Sequence, residues 1–231
     1  MKKPYIKRYK NVAGFSVWIV DGDYIRTNIN EEFTNFGQHY RFDFIPKNEF
    51  WIDKEYGGGN EAEFYIDDML NINKFMSQGV SHKEAIRRVN ILERKERKKS
   101  EFFRKNVVRA EGKTEEIKRV KKELIKKYSK GVKVWVVNGE LVRDLFFLDF
   151  TEGGHDKIYN FIPDREIWID DDVSPKERKF ILLHEIHERN LMNKGLDYNF
   201  AHRLSSREEF YYRHHQEKLD EKLKEEAEKC Q

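Results

Sequence analysis

Five side chains in the last third of the chain are of the types that hold a divalent cation and activate a water: His184, Glu185, His187, Glu188 and His202. Residues three and four apart share one face of a helix, so His184, His187 and Glu188 project together along a stripe that Phe180 and Leu191 extend. Glu188 and His202 stand equally far on either side of Gly195. If that glycine turns an antiparallel helical hairpin, a rise of ~1.5 Å per residue brings both to the same height on facing helices. Burying a carboxylate and two or three imidazoles without compensation costs several kcal/mol, and a cation is the simplest compensator. Neutral imidazoles and a carboxylate are the usual donors to Zn²⁺ where one position is left for water, and Mn²⁺, Fe²⁺ and Ni²⁺ accept the same types. The expected cofactor is therefore zinc or another divalent transition metal, with His184, His187, Glu188 and His202 as candidate ligands. Glu185 points ~100° around the helix from His184, beside such a water rather than among the ligands, where it can serve as general base.

The chain carries its own control. Val17 to Gly22 aligns with Val134 to Gly139, and Phe44-Ile45-Pro46 through Trp51-Ile52-Asp53 with Phe161-Ile162-Pro163 through Trp168-Ile169-Asp170, a repeat about half the protein long. With a one-residue slip, Met76, Gly79, Ala85, Glu93 and Arg97 fall on Met192, Gly195, Ala201, Glu209 and Arg213. His184, His187, Glu188 and His202 then fall on Asp68, Asn71, Ile72 and Ile86. Glu188 and His202 replace what reads as an aliphatic helix contact, so one scaffold occurs twice and the polar cluster once.

The elements that must position these residues follow from local signals. Val17 to Val20 with Tyr24 to Arg26, and Val134 to Val137 with Leu141 to Arg143, flank Asp21-Gly22 and Asn138-Gly139, dipeptides that favour a type I′ hairpin turn. Tyr40 to Ile45 with Phe50 to Ile52, and Lys157 to Ile162 with Ile167 to Ile169, read as a second strand pair in each copy. Ser174-Pro175-Lys176-Glu177 is a helix start, Gly195 and Gly79 are helix ends, and new helices begin near Asp197 and at Ser81. The expected fold is α+β, a duplicated ββββαα unit made of a small antiparallel sheet and a helical hairpin. Its copies span 1–97, without metal ligands, and 131–231, with the site; a basic helical connector over 98–130 joins them. Glu93 to Lys130 is dense in Lys and Arg with apolar residues at helical spacing, and Glu111-Gly112-Lys113 reads as a break between two helices. That segment reads first as a solvated amphipathic face and second as a phosphate-binding surface.

Two copies in 231 residues give domains of about 110 residues, each able to bury a core. Charged and hydrophobic residues each make up 38%, and 14% aromatics exclude a disordered chain. A net charge of +3 gives no bulk pointer to nucleic acid. The single cysteine, Cys230, rules out a disulfide framework and a cysteine-type zinc site. No apolar run approaches the ~20 residues needed to span a bilayer, and MKKPYIKRYK lacks the apolar segment of a signal peptide, so a cytoplasmic protein is expected. Composition does not separate a thermophilic from an AT-rich source.

The segment His184 to His202 resembles the HExxH helix of zincin-type metallopeptidases, with His184-Glu185 at its head and a further ligand candidate, His202, on the next helix. In that family the second histidine lies four residues after the first; here Glu188 occupies that position and His187 comes one earlier. The resemblance implies His184 as a ligand, Glu185 as general base, either Glu188 or His187 as second ligand and His202 as third. The expected function is then a metal-dependent hydrolase with a zinc-peptidase-like activity on a peptide or protein substrate. The first copy would shape the cleft or mimic a dimer partner within one chain. The alternative is a noncatalytic duplicated binding module whose metal is structural and whose connector meets nucleic acid; a third reading is a metal-free structural pseudo-dimer.

Blander readings stand beside these. His184 and His187 suit hydrogen-bonded core histidines, and Glu185 can pair with Arg189 across a helical turn. Glu209 reads as half of an ion pair with Arg213, because Glu93 and Arg97 repeat it without any histidine, and a role behind a ligand comes second. His155, opposite Gln38 in the first copy, is able to face the site. Gly153-Gly154-His155 reads as a turn, Asp170-Asp171-Asp172 as a strand end, His214-His215 as solvated, and Tyr198, Tyr211 and Tyr212 as helix-interface residues. There is no P-loop, no GxGxxG after a strand, no serine elbow and no catalytic cysteine setting.

Overall fold

The computed structural model describes residues 3–59, 61–107 and 113–230, which fall into two compact units, one up to residue 108 and one from residue 109 of the chain. The first contains β1 (Tyr5–Val12), β2 (Phe15–Val20), α1 (Gly22–Asn28), β3 (Phe36–Gly37), β4 (Glu49–Asp53), α2 (Ala62–Ser77), α3 (His82–Arg97) and α4 (Glu101–Asn106). The second contains α5 (Lys113–Val120), β5 (Lys121–Leu124), β6 (Lys133–Val137), α6 (Gly139–Leu145), β7 (Gly153–His155), β8 (Glu166–Asp170), α7 (Arg178–Asn193), α8 (Tyr198–His214) and α9 (Leu219–Glu228). Each unit thus has four strands followed by a helical hairpin, the duplicated α+β arrangement expected from the repeat, with one short helix inserted after its second strand. No helix among the described residues is long and apolar enough to cross a membrane.

Both sheets have the same order, β1-β2-β4-β3 and β5-β6-β8-β7. Their outer ladders are antiparallel, but the central pairs β2–β4 and β6–β8 run parallel, with Trp18 opposite Trp51 and Trp135 opposite Trp168. The sheets are therefore mixed rather than purely antiparallel. The reason lies in the two Asx-Gly dipeptides. Asp21 and Asn138 are helix N-caps, their side chains accepting from the backbone N–H of Tyr24 and Leu141. Tyr24 to Arg26 and Leu141 to Arg143 accordingly lie in α1 and α6 rather than in strands. Asp and Asn satisfy the open N–H groups of a helix as readily as they enter a turn, so the dipeptide alone does not choose.

The glycine that follows is needed for room. A Cβ on Gly22 would lie 1.8 Å from Asp53 Oδ2, and one on Gly139 2.0 Å from Asp170 Oδ1. Those aspartates are fully buried and pair with the buried Arg26 at 2.9 Å and Arg143 at 2.5 Å. Arg143 also holds Asp172 at 2.9 Å, so the Asp170–Asp172 run ties a strand end to α6.

Tyr40 to Ile45 and Lys157 to Ile162, expected as strands, are turns instead. Phe42 and Ile45 sit in them as core residues beside Val20, Ile25, Phe33 and Trp51. The remaining strands come from Phe36–Gly37 and Gly153–His155, the latter expected as a turn, and from β1 and β5. β5 occupies residues expected in the helical connector, while α4 and α5 are helical as expected; Glu111-Gly112 of the expected break lies outside the described residues.

The hairpin that carries the site follows its glycine and second-helix cues, but α7 begins at Arg178, with Ser174 to Glu177, expected as its first turn, lying in a turn before it. Ser174 Oγ accepts from Glu177 N–H in a turn leading into α7. Gly195 and Gly79 have φ of +92° and +82°, the left-handed conformation that closes a helix. Asp197 and Ser81 then cap α8 and α3. α7 packs against α8, α9, β7 and β8, so its inner stripe of Phe180, Leu183, Ile186 and their neighbours is the core of the second unit.

Candidate metal centre

Three of the four expected ligands converge. His184 Nε2 lies 3.0 Å from His202 Nδ1 and 3.4 Å from Glu188 Oε2, and His202 Nδ1 lies 2.8 Å from that same oxygen. Ligands at the ~2.0–2.1 Å typical of zinc stand about 3.4 Å apart at the corners of a tetrahedron. The observed triangle is close to that size, and a tetrahedron built on it keeps one corner for water. His184 and Glu188 come from successive turns of α7 and His202 from the facing turn of α8, as the symmetry about Gly195 requires. His202 keeps 32% of its side chain exposed, so the triangle is open to solvent on that side.

His187 does not join them. It sits on another face of α7 with Nδ1 3.3 Å from Glu226 Oε1 of α9, a helix of the second unit that follows its hairpin. Glu226 also accepts from Asn190 at 2.9 Å and pairs with Lys222 and Lys229, so it is part of the packing between α7 and α9. Of Glu188 and His187, it is Glu188 that lies beside His184 and His202.

Behind His184 stands Glu209. Its Oε2 accepts from His184 Nδ1 at 3.0 Å, which leaves Nε2, the atom inside the triangle, with the lone pair a metal needs once it is deprotonated. Glu209 is fixed by Arg213 at 2.8 Å, and Arg213 by Glu177 at 2.9 Å. The first unit repeats this chain: Arg97 meets Glu93 at 2.7 Å and Glu61 at 2.6 Å. Arg97 also lies 4.7 Å from the Phe64 ring centre, as Arg213 lies 4.6 Å from Phe180. The expected Glu209–Arg213 pair is therefore present, and the same carboxylate holds His184, in whose place the first unit has Asp68.

The electrostatics of the triangle favour positive charge. Burial alone would push His184 down, but the Glu188 and Glu209 carboxylates outweigh it and hold the imidazole well above its ordinary value. Burial would raise Glu188, yet hydrogen bonds to His155, His184 and His202 hold it far below the usual carboxylate range. Glu209, despite burial, is lowered to about 2 by Arg213 and His184. Glu185 behaves oppositely: burial and then the charge of Glu188 raise it to about 7, against the pull of the three imidazoles. Two carboxylates one turn apart are thus shifted in opposite directions, Glu188 down and Glu185 up, the kind of division that acid–base chemistry uses.

Glu185 does not pair with Arg189, which turns instead to Asp156 at 2.6 Å. It groups with Glu188 and His155, whose donor atoms lie within 4.8 Å of one another. His155, fully buried at the end of β7, reaches Glu188 Oε1 at 3.0 Å. Its sequence signal was its place opposite Gln38, which in the first unit accepts from Asn73 of α2. Tyr198 lies tilted against His202 with ring centroids 5.4 Å apart and is 43% exposed, and Tyr211 is 45% exposed, so these two do not fill the helix interface. His214 and His215 are half-exposed to exposed and bond carbonyls four residues back. No protein-family model matches the chain, and no curated protein or solved structure is significantly similar to it.

Proposed function

We propose that the second unit is a metal-dependent hydrolase in which His184, Glu188 and His202 hold one divalent ion, zinc by donor type, and Glu185 is the general base. The observation that carries this reading is the convergence of His184 Nε2, His202 Nδ1 and Glu188 Oε2 within 3.4 Å of one another, with the Glu185 carboxylate alongside. When bound, such an ion supplies Lewis acidity that brings a coordinated water to a pKa of ~7. Glu185 then takes the proton at its carboxylate and hands it to the leaving group, while Glu209 keeps His184 in the tautomer that ligates. A structural zinc site is closed by four protein donors, whereas three donors and a solvent-facing His202 leave a position for substrate. The His184-Glu185 order and the ligand on the following helix, similar to zincin-type peptidases, favour a peptide or protein substrate. A buried, unpaired Cys230 suits a cytoplasmic setting.

The test is cleavage of an unstructured protein by chain purified without a histidine tag, with single-stranded nucleic acid assayed in parallel. Protein cleavage that stops on chelation and returns with Zn²⁺ is the expected result. Retention of nucleic acid without cleavage of either polymer would replace the hydrolase by the binding module.

A further inference from the structure

Three features lie outside the proposed machinery: the Glu226 cluster under α9, the Asp170–Asp172 run, and His155. The first two are accounted for by helix packing and by Arg143. His155 is fully buried, comes from a different element and touches the ligand carboxylate, so it bears on the site itself.

We infer that His155 is a positioning residue for Glu188: fixed with its proton on Nε2, it occupies Oε1 and leaves Oε2 as the one oxygen offered to the ion. This rests on the metal site proposed above. The geometry sets the tautomer. The backbone N–H of Lys157 points at His155 Nδ1 from 3.2 Å. An amide N–H can only donate, so Nδ1 must present its lone pair, and the ring proton sits on Nε2. Nε2 is 3.0 Å from Glu188 Oε1 and therefore donates to it. The other oxygen, Oε2, is the atom that faces both His202 and His184. The two oxygens of one carboxylate have separate tasks, and the ion meets Glu188 through a single oxygen.

A second consequence concerns the number of ions. By distance alone, His155, Glu185 and Glu188 are close enough to hold a cation of their own. With Nδ1 engaged by Lys157 and a proton on Nε2, however, His155 has no lone pair to give there. Moving the proton to Nδ1 would set an N–H against the Lys157 N–H, and turning the ring over would set a C–H there; either change removes the acceptor of that amide. The second unit therefore holds one ion, and Glu185 stays free to act as base.

The experiment is titration of metal-free wild type, His155→Leu and His155→Gln with Co²⁺, read by visible absorption, and with Zn²⁺ against a competing chelator. Circular dichroism of each metal-free protein checks the fold. Wild type is expected to take one equivalent. His155→Leu should bind ~10- to 100-fold more weakly, the usual loss for an outer-sphere partner. Its Co²⁺ absorption should weaken, because freeing Oε1 lets the carboxylate bind through both oxygens and raises the coordination number. His155→Gln places an amide N–H where Nε2–H was and should restore affinity and spectrum. If His155→Leu fails to fold, His155→Gln decides, since a native-like variant still as weak as a missing donor overturns the inference. Equal affinity and spectra for wild type and His155→Leu overturn it as well. So does a second equivalent in wild type that both variants lose, because His155 is then a ligand. Failure of wild type to bind any ion removes the metal site itself, a different outcome from the loss of a contrast among variants.

Discussion

Glu185→Gln is expected to keep the fold and the metal while losing hydrolysis by a factor of ~10² to 10⁴, the contribution of a positioned general base. Glutamine preserves the shape and removes the proton acceptor. The converging triangle is made by His184, Glu188 and His202, so the donors of the proposed ion would be untouched. Glu185 is a half-buried carboxyl raised to about 7 by desolvation and then by the charge of Glu188. Neutralising it relieves that repulsion, and the metal-free variant should be no less stable than wild type. The measurement pairs initial rates on an unstructured protein with metal content of the same samples. If Glu185→Gln lost the metal while Glu188→Gln kept it, the roles of the two carboxylates would be reversed.

His202→Ala should release the ion and remove the thermal stabilisation that added metal gives wild type. Of the three converging donors it is the one from α8, and His187 does not take its place, since it faces α9. The affinity loss should exceed the ~10- to 100-fold typical of an outer-sphere partner. At metal 100-fold above the wild-type dissociation constant, binding stabilises by ~2.7 kcal/mol, about 10 °C in melting temperature for a domain of this size. Melting curves with and without Zn²⁺ check this; a variant that gains as much as wild type would exclude His202 as a ligand.

Much of this fold was legible because the chain repeats itself. Trp18/Trp51 and Trp135/Trp168, the glycines that end α2 and α7 and the Glu–Arg pairs recur in order, and they mark the same positions in both units. What misled was chemistry shared between structures: Asp21-Gly22 and Asn138-Gly139 suit a hairpin turn and a helix N-cap equally, and only Asp53 and Asp170, distant in sequence, select the cap. β1 went unseen because an exposed edge strand reading YIKRYKNV has no apolar face to alternate. In the site, the contrast with Asp68, Ile72 and Ile86 revealed which positions were special, and helical spacing paired Glu188 with His202. Spacing did not separate Glu188 from His187, since both lie within one helical turn of His184; in the structure His187 turns to Glu226 of α9 while Glu188 meets His184 and His202. His155 arrives from a strand edge whose position no local pattern encodes.

Elemental analysis of untagged wild type beside a His184→Ala, His202→Ala double variant tests the metal site most directly. One equivalent of zinc or another divalent transition metal per chain is expected in wild type, and none in the variant. Wild type that takes up no metal under zinc-replete conditions, or a double variant that retains a full equivalent, would contradict it.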